Sequence, residues 1–214
     1  NRNSYEKGGF VLHMLRSQLG PDLFRDCVNT YLKRHSHENV VTEDLRRVVE
    51  ERSGRSFDRF FDQWVFHGRF PDVQVNYEWD ESTRKAKVSV QQTHKVDAAV
   101  MLFEFPLTIR FKGAFGKLDR TVKITKVAED FEFPLESAPK QARIDPEYTL
   151  LAKITFPIPN GMLEAQLSDN EDLIGRILAL EQLAKRNDAQ TVKRLKTVLN
   201  GDPFHAVRTR ASSA

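Results

Sequence analysis

The sequence predicts an α+β chain of several units: a helical layer over residues 1–70, a set of short strands over 71–158, and a second helical stretch over 159–214. Three observations carry this. Apolar residues repeat every three to four positions up to about residue 66, the period switches to two at Asp72, and it returns to the helical value after Pro157-Ile158-Pro159-Asn160-Gly161. The length of 214 residues also exceeds the roughly 100–150 of a common single domain.

In the first stretch, Ser4 is placed to cap a helix carrying Phe10, Val11, Met14, Leu15 and Leu19, which Gly20-Pro21 ends. Leu23, Phe24, Cys27, Val28, Tyr31 and Leu32 repeat the spacing and run out near His35. Thr42 is the predicted cap of a third helix with Leu45, Val48 and Val49 on one face, stopped by Gly54. Ser56 opens a short fourth with Phe57, Phe60, Phe61, Trp64 and Val65, closed by Gly68 and Pro71.

Val73, Val75, Tyr77 and Trp79 then alternate with polar residues, and Ala86, Val88 and Val90 do so after a polar turn at 80–84, the pattern of a hairpin. Further strands are predicted at 105–111, 118–124, 131–135 and 142–144. Six or seven short strands at this spacing predict a β-sandwich. Helices resume with Leu173, Ile174, Ile177, Leu178 and Leu180, then Val192, Leu195, Val198 and Leu199 up to Asn200-Gly201, and a third begins at Asp202-Pro203. Short helix pairs of this kind build α-solenoids, and one pair with a stub would leave a face uncovered. The opening at Asn1 and the unfinished pattern at 211–214 predict a portion of something longer.

Net charge is +3, distributed as +2, 0 and +1 over residues 1–70, 71–160 and 161–214. No segment concentrates Lys and Arg as phosphate binding requires, so the expectation is no nucleic-acid partner. No apolar run approaches the ~18 residues of a membrane span. Cys27 is the single cysteine, which excludes an internal disulfide and a cysteine-based zinc site; a small buried residue is its expected role.

Among the histidines, His13 reads as a packing residue. His37-Glu38 starts like a zinc-peptidase helix, but that motif needs a second histidine at i+4, and Val41 stands there. His67, His94 and His205 are isolated from one another in sequence. The local anomaly is Ser4-Tyr5-Glu6-Lys7-Gly8-Gly9. Two glycines inside a helix cost about 1 kcal/mol each relative to alanine, and close backbone approach is the expected compensation. Tyr5, at the helix start, is placed to aim its hydroxyl outward, where a phenol can donate to a developing oxyanion; a plain surface tyrosine is the competing reading.

Tyr5-Glu6-Lys7-Gly8, the helix after it, Gly20-Pro21, Phe24 through Tyr31-Leu32, Thr42-x-x-Leu45 and Phe57, Phe60-Phe61, Trp64 and Gly68 resemble the second half of the catalytic domain in the aminopeptidase N family of zinc metallopeptidases. The strands then resemble that family's β-sandwich, and Val207-Arg208-x-x-Ala211 a HEAT-type helix. The resemblance implies the helical half of a thermolysin-like catalytic domain over 1–70, a sandwich over 71–158 and a truncated HEAT-like repeat domain over 159–214. It implies an aminopeptidase that removes N-terminal residues from peptides, with Tyr5 stabilising the tetrahedral intermediate and Lys7 and Gly8 structural. In the family, the H-E-x-x-H pair, the third zinc ligand and the motif for the substrate amino group lie before the tyrosine, and none is present here. The expectation is therefore zinc in the parent protein only, none in this chain, and no hydrolysis by this chain alone. An alternative of another class is a relative without zinc ligands, such as a transcription-factor subunit, binding protein partners through the sandwich and repeats. A plain binding module would fit 71–214 but leaves Gly8-Gly9 unexplained.

Overall fold

A computed structural model describes residues 3–97, 100–186 and 189–213. The first 66 residues are helical. A π-helical turn, Asn3–Lys7, runs into α1 (Gly8–Leu19), followed by α2 (Pro21–Arg34), α3 (Thr42–Ser53) and a short α4 (Asp58–Phe61), which loosens into a second π-helical turn, Asp62–Phe66. The capping role expected of Ser4 falls on a side chain outside the described residues. Gly20, with φ +82°, makes the turn into α2, a left-handed backbone that L side chains resist, and Pro21 fits the first position of the next helix. The layer buries Val11, Met14 and Leu15 from α1, Cys27 from α2, Val48 and Val49 from α3, and Phe57, Phe60, Phe61 and Trp64 beyond them.

Two local expectations are corrected. Thr42 is not a cap: it is the first residue of α3, Val41 takes the extended capping position, and the Val41 N–H donates to Asp44 Oδ2 at 2.9 Å. A carboxylate at the third helical position reaches back to the N–H of the capping residue, a different donor from the first-turn N–H that a cap hydroxyl would have served. Nor do Gly8 and Gly9 mark a close approach. A Cβ built on either would meet nothing within 4 Å.

The period-2 segment forms β1 (Asp72–Asp80), β2 (Lys85–Gln92), β3 (Phe105–Gly113), β4 (Gly116–Ile124), β5 (Ala128–Pro134), β6 (Gln141–Ile144) and β7 (Lys153–Thr155). They make a four-stranded sheet, β5-β2-β1-β7, and a three-stranded sheet, β4-β3-β6. Every pairing is antiparallel except β1 with β7. Along β3, Phe105, Leu107, Ile109 and Phe111 are buried while Pro106, Thr108, Arg110 and Lys112 stand on the other face. Phe111 crosses to the other sheet, its ring 5.5 Å from Phe133 and 6.4 Å from Tyr77.

Two buried amides, one from the helical layer and one from β2, hold the segment that leads into β3. Gln63 donates through Nε2 to the Glu104 carbonyl at 2.5 Å and accepts from the Glu104 N–H at 3.0 Å, while Gln92 does the same to Phe103 at 2.8 and 3.1 Å. Each amide imitates a neighbouring strand and satisfies backbone that would otherwise be buried unpaired. Trp64 packs on Phe103 at 5.1 Å between centroids.

The C-terminal stretch holds α5 (Asn160–Leu167), α6 (Leu173–Leu183), α7 (Ala189–Gly201) and α8 (His205–Ser212). α5 begins earlier than the predicted resumption at Leu173, directly after Pro159, and buries Met162, Leu163 and Gln166. α6 is capped by Asp172, whose Oδ1 accepts from the Gly175 N–H at 2.7 Å. No described helix is long and apolar enough to cross a membrane.

Candidate functional site around Tyr5

Tyr5 lies in the first π-helical turn, 81% exposed, and its hydroxyl makes no hydrogen bond among the described residues. Beside it opens a groove of about 1250 Å³ between the start of α1, the start of α3, and the second π-helical turn with the residues after it. Leu12, Val41, Val65, Phe66 and Phe70 line the groove and remain exposed, an apolar surface of the kind that meets a partner or ligand. Arg69, at the rim, holds a left-handed backbone, φ +66°.

Lys7 reaches across the end of this groove. Its Nζ donates to the His67 carbonyl at 3.2 Å, and burial pushes its ammonium below the ordinary lysine value. The acceptor is itself fixed: the His67 backbone N–H closes the π-helical turn onto the Asp62 carbonyl at 3.0 Å, and His67 Nδ1 donates to the same carbonyl at 3.0 Å and lies 3.2 Å from Asp62 Oδ1. Sequence reasoning did not link Lys7 to His67, since they stand 60 residues apart with no shared motif.

The remaining candidates have other partners. His13 Nε2 donates to the Tyr148 carbonyl at 3.0 Å and its ring packs edge-on against Phe10. His94 Nε2 donates to the Met101 carbonyl at 3.1 Å. His35 Nδ1 lies 3.3 Å from Glu38 Oε2, and His37 occupies a left-handed turn position with φ 64°. Cys27 is buried, and its thiol is pushed up by that burial and by the Asp26 charge. A second cavity, about 550 Å³, lies between α6 and residues 142–158, and several of its polar groups are engaged within the protein: Arg143 with Asp172, Asp145 with Thr149 and Leu150, Gln182 with Phe156 and Ile158.

An exposed phenol can stabilise negative charge on an oxygen, and an apolar groove can hold a side chain. Glu6, Lys7 and His67 line the same groove as the phenol. No group of three or more His, Cys, Asp or Glu able to hold a metal ion occurs among the described residues, and His67, in the groove, is engaged with Asp62. These residues do not fit a zinc site.

Comparison with known proteins identifies relatives of this arrangement. Residues 1–64 match the Peptidase family M1 domain. Aminopeptidase M1-C of Oryza sativa subsp. japonica is 36% identical over 72 residues, 34% of this chain and 8% of that protein. Aminopeptidase N of Lactococcus lactis subsp. lactis is 29% identical over 109 residues, 51% of this chain and 13% of its own. Tricorn protease-interacting factor F2 of Thermoplasma volcanium is 33% identical over 73 residues, 34% of this chain and 9% of its own. The solved structure of Legionella pneumophila aminopeptidase A, in complex with aspartic acid, aligns with 99% of this chain and 26% of its own at a TM-score of 0.79, with 14% identity, a likeness of fold. The chain thus spans about a quarter of that solved aminopeptidase, and its matches span 8% to 13% of these curated relatives. By sequence, the helical layer over residues 1–64 matches the Peptidase family M1 domain, and by fold the chain resembles part of a solved aminopeptidase.

Proposed function

We propose that this chain is a portion of a zinc-dependent aminopeptidase that removes N-terminal residues from peptides. Residues 1–70 are the later helical part of its catalytic domain, 71–158 a β-sandwich domain, and 159–214 the start of a HEAT-like helical domain. Tyr5 is its catalytic contribution: the phenol donates a hydrogen bond to the oxyanion of the tetrahedral intermediate formed on the peptide carbonyl. The observation that carries this reading is the exposure of Tyr5 beside an apolar groove, within the same 64 residues that match the family. Metal ligands and the groups that recognise the substrate amino terminus come from residues outside this chain, so the chain by itself is zinc-free and inactive.

Two measurements test this. The isolated chain is expected to contain no zinc and to show no hydrolysis of aminoacyl-arylamides; zinc-dependent turnover would overturn the reading. In the longer enzyme, Tyr5→Phe is expected to lower kcat by about 10²–10³-fold, the loss typical of one oxyanion donor, with zinc retained. An unchanged kcat removes Tyr5 from the chemistry.

A second reading, a non-catalytic relative that binds protein partners, draws support from Val192, Leu199 and Phe204, apolar residues left exposed on and beside α7. It predicts a longer protein without turnover, in which Tyr5→Phe has no effect.

A further inference from the structure

We propose that Lys7 is the positioning residue of the Tyr5 site: by holding the His67 carbonyl it docks the turn that carries Tyr5 onto the second π-helical turn, and so fixes where the phenol points. This rests on the reading of Tyr5 given above.

The argument begins with what else holds Tyr5. Its side chain is 81% exposed and makes no hydrogen bond among the described residues, so its direction is set by the backbone of the π-helical turn. On its C-terminal side the turn continues into α1 through Gly8 and Gly9, where a Cβ on either would meet only open space, so those two residues add no side-chain packing of their own. A long-range contact of the turn runs from Lys7 Nζ to the His67 carbonyl, 3.2 Å, spanning 60 residues. The partly buried ammonium finds a protein acceptor, and that acceptor is itself held in place. His67 ends the second π-helical turn, locked to Asp62 through both its backbone N–H and its ring Nδ1. π-Helical turns are rare and recur at functional sites. Here two of them, Asn3–Lys7 and Asp62–Phe66, border one groove, and the Lys7 ammonium joins them.

Lys7 does not touch the reacting atoms in this account; it acts through Tyr5. The test is a double-mutant cycle in the longer aminopeptidase, assayed on an aminoacyl-arylamide. Lys7→Met is expected to lower kcat by about tenfold or more, as a modest displacement of a catalytic group does, with KM within about twofold and zinc content unchanged. Lys7→Arg, which can still donate to the His67 carbonyl, restores most of the rate. In a Tyr5→Phe background, Lys7→Met costs little further, because the group it positions is gone. Additive losses, a kcat unchanged by Lys7→Met, or failure of Lys7→Arg to recover any rate would each overturn the positioning role. A silent Tyr5→Phe overturns the assignment of Tyr5 itself, and this inference with it, so the two failures are told apart by that single variant.

Discussion

Replacing Asp172 by alanine tests how β6 is tied to α6. The Asp172 carboxylate serves two donors at once: Oδ1 accepts from the Gly175 N–H at 2.7 Å, capping α6, and Oδ2 accepts from Arg143 Nε at 2.6 Å. The two side chains are 3% and 9% exposed. Losing the cap alone costs about 1 kcal/mol. Leaving the Arg143 guanidinium buried without its acid costs more, about 3–5 kcal/mol, because a stranded charge keeps its desolvation penalty and loses its partner. Both terms belong to one carboxylate and do not simply add, so Asp172→Ala should destabilise by about 4 kcal/mol, or lower the melting temperature by roughly 8–16 °C for a chain of this size. Thermal unfolding followed by circular dichroism measures it, and hydrogen exchange of the α6 amides locates it. Arg143→Met in the Asp172→Ala background removes the stranded charge, so the double variant should be more stable than Asp172→Ala alone. Gly175→Ala should also destabilise, since its methyl would collide with the Asp172 carboxylate and lie 2.9 Å from Arg143 Nε. A loss below about 1 kcal/mol for Asp172→Ala, or no recovery in the double variant, would refute this account.

Two further outcomes follow from the same coordinates. Burial pushes the Asp169 carboxyl up, but the 2.6 Å bond from Lys112 and the Glu171 backbone N–H outweigh it and hold the acid below its ordinary value; its stabilisation is therefore present above the unfolded value of about 4 and lost as pH falls through the lower folded one. Melting temperature should drop on acidification below about pH 4, and Lys112→Met should flatten that part of the profile; an unaltered profile would contradict it. Gly9→Ala should stabilise by about 0.5–1 kcal/mol, because its Cβ enters open space within a helix, and a lowered melting temperature would restore the close approach that the sequence alone suggested.

The strands and most helices were legible because burial writes a period into the sequence. β3 alternates without a fault, and Gly20, Gly54 and Gly201 punctuate helices where only glycine-tolerant backbone or a stop signal fits. Elements lacking that signal were missed. β7 is three residues long and gains its place by pairing with β1 in parallel, information carried by β1 and not by Lys153-Ile154-Thr155. α5 is masked by Pro157, Pro159 and Gly161, which read locally as breakers although Pro159 ends where a helix can start. Gln63 and Gln92 look like surface residues, yet each is 2% exposed, because their value lies in clamping strand backbone 41 and 11 residues away. Gly8-Gly9 misled for a related reason: cost was visible in the sequence, but empty space around the helix was not.

The site divides along the same line. Tyr5 could be singled out because its neighbours in sequence form a segment with a recognisable family pattern, and its exposure is a local property of a helix start. Its anchor could not, since the Lys7–His67 contact is created by folding and neither residue advertises the other. A lysine beside two glycines reads as a solvated charge until the carbonyl that receives it is known. That contact also gives the glycines a different meaning from the one first assigned. They do not admit a neighbouring backbone: a Cβ on either would meet open space, and the long-range bond at Lys7 ties the turn to the second π-helical turn. A turn tied across the groove at Lys7 is sensitive there, which is why a substitution two residues from the phenol is expected to act on kcat while leaving KM nearly unchanged.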